Sequence, residues 1–127
     1  MRLFKNKWFT RFARKENITD ASLRELIRRI EAGSSDADLG GGVYKQRLSR
    51  RGQGQSGGYR IILCCKSGKR AFFVYGFAKS ARENITPDEV RAFRKLADIL
   101  LTMPERQLVS MVEAGDFVEF PNKEDLS

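Results

Sequence analysis

The chain has 127 residues and a net charge of +8, with 41% hydrophobic and 10% aromatic residues. That is one domain's worth of chain, with enough apolar matter to bury its own core. Histidine is absent, which removes the commonest general base and zinc ligand, and the two cysteines, Cys64 and Cys65, are adjacent. Neighbours on a strand point to opposite faces, so this pair predicts buried small apolar residues and neither a disulfide scaffold nor a metal site.

In chain order, `MRLF` predicts a short edge strand. Trp8, Phe9, Phe12 and Ala13 then fall at helical spacing, with Arg11, Arg14 and Lys15 around them. This start is basic but lacks a signal-peptide apolar run, and no stretch has the length of a membrane span, so the expectation is a cytoplasmic protein without a membrane partner. `NITDASLRELIRRIEAG` predicts a helix capped by Thr19 or Asp20, with Leu23, Leu26, Ile27 and Ile30 on one face and Gly33 just past its end. Gly33 to Gly42 is read as a loop, and `VYKQRLS` as a strand. `RRGQGQSGG` is expected to be a flexible hairpin connection, and `YRIILCCK` and `RAFFVYGF` to be central strands of an antiparallel meander. Thr86, Pro87 and Glu89 carry a helix-start signature, ahead of an apolar face from Val90 to Leu101. Pro104 starts a further helix, `DFVEF` predicts a short strand or clasp, and residues 121–127 a polar, unstructured tail to a single domain spanning 1–120. The expected fold is α+β, an antiparallel meander packed on N-terminal helices with C-terminal helices following. Helices are placed on one sheet face and the other face is left to be explained.

Charge is distributed unevenly. Residues 1–38 hold nine basic and six acidic side chains, residues 39–82 ten basic and none acidic, and residues 83–127 five basic and ten acidic. A concentrated positive field of this kind suits a polyanion. Strand alternation sharpens it. Val43, Lys45 and Arg47 share one face, Arg60 opens the alternate face from Tyr59, Ile61 and Leu63, and Lys79 ends the third strand. Lys45, Arg47 and Arg60 can therefore converge, with Arg50 and Arg51 in the adjoining loop. Gly52, Gly54, Gly57 and Gly58 leave room for a close phosphate, although no P-loop or dinucleotide fingerprint is present. Tyr75 reads either as sheet core or as a base-stacking ring.

The stretch from Leu39 to Leu101 resembles the RelE/HigB group of bacterial type II toxins, within the RelE/ParE superfamily. The resemblance rests on a basic strand, the `GGYR` opening of the next strand, an aromatic strand, and the `FAK` step at Phe77–Lys79 followed by an acid-containing link and a helix. It implies a compact RelE-like ribonuclease that cleaves mRNA, in most members on the translating ribosome, and so inhibits translation. No metal or other cofactor is implied. A cognate antitoxin is, expected to be a helix-turn-helix DNA-binding protein. Lys45 and Arg47 match the family's paired basic positions, Arg60 the arginine after Gly-Tyr, and Lys79 the basic residue closing the aromatic strand. These four are the candidate catalytic residues. Arg60 is expected to clamp phosphate and Lys45 to act as base or charge stabiliser. Arg50, Arg51, Tyr75 and Arg82 are the candidate RNA contacts. Ser80 stands where RelE proper has an arginine, with Arg82 two residues on as a substitute, and no tyrosine follows Tyr75 to match the family's C-terminal catalytic one. The proton donor is thus left open, and the segment 104–120 is either additional core or antitoxin contact. Two alternatives stand beside the nuclease: a ParE-like gyrase poison without an RNase site, and a non-catalytic RNA-binding module. The converging strand cations favour the nuclease.

Overall fold

A computed structural model describes residues 1–49 and 58–122. The centre of the fold is a six-stranded mixed sheet in the order β2-β3-β4-β5-β1-β6. Its strands are β1 (Arg2–Asn6), β2 (Ala37–Gly40), β3 (Val43–Leu48), β4 (Tyr59–Lys66), β5 (Arg70–Ala78) and β6 (Phe117–Phe120). The helices are α1 (Lys7–Glu16), α2 (Asp20–Glu31), α3 (Pro87–Thr102) and α4 (Glu105–Glu113). The predicted meander is present as β3, β4 and β5, each antiparallel to the next.

The surroundings of the meander differ from the sequence reading in three ways. The strand expected at an edge is interior: β1 lies parallel to β5 and antiparallel to β6. Leu3 and Phe4 are both fully buried, and apolar burial on two faces holds the strand inside. The expected loop contains β2, which pairs with β3 through a register shift near Gly40, where φ is +86°. Its alternating Ala-Asp-Leu-Gly pattern is too short to signal a strand without its neighbour. Third, helices cover both faces of the sheet. On one side α1 and α2 bury Phe9, Leu23, Leu26 and Ile27 against Ile61, Leu63 and Phe73. On the other, α3 and α4 bury Ala97, Leu100 and Leu108 against Ile62, Cys64 and Phe72. Each such aliphatic or aromatic side chain removed from water contributes about 1.5–3 kcal/mol, so neither layer is a passive cover.

Helix boundaries follow local chemistry. Thr19 caps α2 by accepting from the Ser22 amide, and Gly33 lies just beyond at φ +80°. Thr86 and Glu89 form a reciprocal capping box on α3, with Pro87 in the first turn. The two thiols are buried, one on each face, and burial pushes both up to about 12. They are packing residues. Among the described residues no helix is long and apolar enough to cross a membrane.

Candidate functional site

The cations predicted to converge do so. Cross-strand register sets Lys45 opposite Ile62 and Arg47 opposite Arg60 on β3 and β4. All three side chains stand on the sheet face that carries α3, on the part of β3 and β4 nearest the hairpin end. Two like charges directly opposite on a sheet repel each other. Even so, among the described residues none of Lys45, Arg47, Arg60 and Lys79 forms an ion pair with a carboxylate. Lys45, Arg60 and Lys79 are half-buried and Arg47 is exposed. The Lys45 pKa lies below the ordinary lysine range, first through desolvation and then through repulsion by Arg60, Lys79 and Arg47. Those three repulsions place all four cations within electrostatic reach of one point. Lys45 Nζ donates to Asn84 Oδ1 at 3.1 Å, which aims the amine.

Backbone geometry fixes each member. Arg47 donates its amide N–H to Asp36 Oδ2 at 2.7 Å and its carbonyl accepts from Arg29 Nη2 at 2.6 Å, leaving the guanidinium exposed. Gln46, fully buried beneath, accepts from the Asp36 amide at 2.7 Å and completes the fastening of β3. Gly58 is required by packing, since a Cβ there would stand 2.2 Å from the Leu48 carbonyl oxygen. Its own carbonyl accepts from the Lys79 amide at 2.9 Å, which anchors Lys79 at the end of β5 beside β4.

Tyr75 reaches this face through a β-bulge. Leu63 pairs with Phe73 and Ile62 with Tyr75, so Val74 is the extra residue on β5. Simple alternation from Phe73 would send Tyr75 and Phe77 into the α1–α2 core; the bulge reverses them onto the Lys45 face. Tyr75 is half-buried among Trp8, Phe77 and Phe93, with ring centroids 4.6, 6.2 and 5.9 Å away. Arg82 donates to the Tyr75 hydroxyl at 3.0 Å and to the Asn84 carbonyl at 2.9 Å, and it pairs with Glu89. Of the candidate RNA contacts, Arg82 is therefore a strut between the β5–α3 link and α3, already neutralised by a carboxylate. Arg50, Arg51, Gly52, Gly54 and Gly57 lie outside the described residues.

The sequence pattern singles out neither Asn84 nor Asp36, and Gly58, expected to leave room for a phosphate, is instead needed for close packing against Leu48. Nothing local flags the first two, because their importance comes from residues 39 and 11 positions away in the chain.

A family model, the RelE toxin of the RelE/RelB toxin–antitoxin system, matches residues 1–120. The chain belongs to the RelE toxin family. It is a toxin of a toxin–antitoxin system, and an antitoxin is its counterpart. No curated relative matches the chain. The family match takes in β1 and α1 at the start and α4 and β6 at the end, well beyond the Leu39–Leu101 stretch whose motifs carried the resemblance. Within that frame Lys45, Arg47 and Arg60 stand on one face, Lys79 follows the end of β5 within electrostatic reach of Lys45, and Ser80 is exposed.

Proposed function

We propose that this RelE-family toxin is an mRNA endoribonuclease that works on translating ribosomes, needs no metal, and stops translation. The observation that carries this reading is the Arg47–Arg60 pair beside Lys45, with Lys79 within electrostatic reach, four cations that among the described residues form no ion pair with a carboxylate. A structural role would favour neutralisation, whereas a site for a phosphodiester requires the charge to stay available.

The chemistry follows from the side chains. A base removes the proton of a ribose 2′-OH. The 2′-oxygen then bonds to the adjacent phosphorus, the P–O5′ bond breaks, and the 5′-oxygen leaves with a proton. Products are a 2′,3′-cyclic phosphate and a 5′-hydroxyl. Arg60 and Arg47 hold the non-bridging oxygens, where negative charge builds in the transition state. Lys45, with its pKa depressed by desolvation and three cations, is the base, and Lys79 adds to the field. The departing 5′-oxygen takes its proton from water.

The same field suits an acidic cover, so the antitoxin is proposed to present carboxylates to this face or hold the toxin away from the ribosome. It is proposed to be a helix-turn-helix protein, and the pair to act in the cytoplasm. The test is direct. The toxin is incubated with mRNA, with and without ribosomes, and new 5′ ends are mapped. Cuts that need ribosomes and vanish in Arg60→Ala establish the reading. Intact message with RNA still bound makes the protein a binding module, and intact message with blocked DNA supercoiling makes it a gyrase poison.

A further inference from the structure

Trp8 is the chain's only tryptophan, and it is 38% exposed. It is not left on the surface by default. Asn6 caps α1 by accepting from the Phe9 amide at 2.7 Å, and its amide group donates to the Val74 carbonyl at 3.1 Å. One side chain therefore ties the start of α1 to the β5 bulge. Gly76 completes the fit, since a Cβ there would meet Phe12 at 2.8 Å. As a result Trp8 stacks on Phe12 at 5.1 Å and against Tyr75 at 4.6 Å, wrapping the edge of β5 beyond the end of β1.

Trp8, Arg11, Phe12 and Lys15 stand at i, i+3, i+4 and i+7 and line an open cavity of about 230 Å³. Arg11 and Lys15 are exposed, and among the described residues neither is in an ion pair. A flat ring flanked by two unneutralised cations can stack an unpaired base and hold its phosphates. The Trp8–Tyr75 contact joins this cavity to the Lys45 face. We infer that the α1 stripe of Trp8, Arg11 and Lys15 is a nucleotide-binding platform, which stacks one unpaired base of single-stranded RNA at a distance from the scissile phosphate. The inference rests on the nuclease reading for its ligand class. Continuity with the cationic face favours RNA over an anionic membrane, which the same amphipathic stripe could otherwise meet.

The test uses the full chain and its own fluorophore. Titration with a non-cleavable 2′-O-methyl single-stranded oligonucleotide is expected to quench Trp8 emission, while inorganic polyphosphate, which has charge but no bases, is expected to bind without quenching. Trp8→Ala should weaken oligonucleotide binding roughly ten-fold, with Trp8→Phe restoring most of it. Arg11→Gln with Lys15→Gln leaves the packing intact. It should lower the slope of log affinity against log salt by about 1.4, two phosphate contacts on a single strand. An unchanged slope, equal quenching by polyphosphate, or quenching by phosphatidylglycerol-containing vesicles but not by RNA overturns the platform. If the wild type cuts message while Trp8→Ala binds RNA as tightly as before, the platform falls and the nuclease reading stands. A wild type that neither binds nor cuts RNA removes both.

Discussion

Two arginine pairs face each other across this sheet, and they have opposite surroundings. Arg2 stands opposite Arg70 on β1 and β5, and Arg47 opposite Arg60 on β3 and β4. Around the first pair every charge is answered. Arg2 makes two hydrogen bonds to Glu119, at 2.9 and 3.0 Å, and one to Glu105. Arg70 donates to the Leu100 and Met103 carbonyls at 3.1 and 2.8 Å, at the C-terminal end of α3, where a cation is favoured. Around the second pair, among the described residues, neither guanidinium is in an ion pair: Asp36 and Arg29 bond to Arg47 only through its backbone, and Lys45 adds like charge. The first cluster staples the helices to the sheet. The second keeps its positive potential, which the proposed function assigns to RNA, and it lies toward the N-terminal end of α3, where the helix dipole adds to that potential. Like charges on neighbouring strands thus do not by themselves distinguish the two clusters; among the described residues, the carboxylates paired to one and not to the other do.

The comparison is most exposed at Arg60. Arg60→Ala is expected to lower the cleavage rate by about 10²–10³-fold, through loss of one transition-state donor, with the unfolding midpoint little changed. A large fall in stability with cleavage retained would reverse the roles of the two clusters. Arg70→Met should do the opposite. It strips two α3 carbonyls of their donor and is expected to cost about 2 kcal/mol in urea unfolding while cleavage stays at the wild-type level. Thr86→Ala removes the cap of the helix that separates the clusters, at about 1 kcal/mol by the same measurement.

Two smaller effects depend on pH. Glu89 is held down to about 2, first by Arg82 and then by the Thr86 backbone. Its contribution is present above the ordinary carboxylate range and is lost as pH falls through that range toward 2. Glu89→Gln should therefore flatten the acid limb of a stability profile. Lys45 carries the reverse sign. Its folded pKa is lowered, so the protonated amine costs stability near neutrality, and the cost is relieved as pH rises through the window between the lowered value and the ordinary lysine range. Lys45→Met should stabilise the fold at about pH 7, and the gain should shrink at about pH 10. The same variant should lose cleavage, which separates a functional from a structural lysine.

The residues by themselves settle a good deal. Period-two alternation puts Lys45 and Arg47 on one face of β3 and Arg60 on the alternate face from Tyr59 and Ile61, and the capping chemistry of Thr19 and of Thr86–Glu89 sets where α2 and α3 begin. These are local signals that act over a few residues, so they survive without knowledge of the fold. Tertiary structure decided the rest. Five residues of `RLFKN` do not show that β1 will be inserted between β5 and β6, because strand pairing is chosen by distant partners. The bulge that reverses Tyr75 is held by the Asn6 side chain, 68 positions away. Only in three dimensions does it become clear which arginines meet a carboxylate, because charge composition counts partners without placing them.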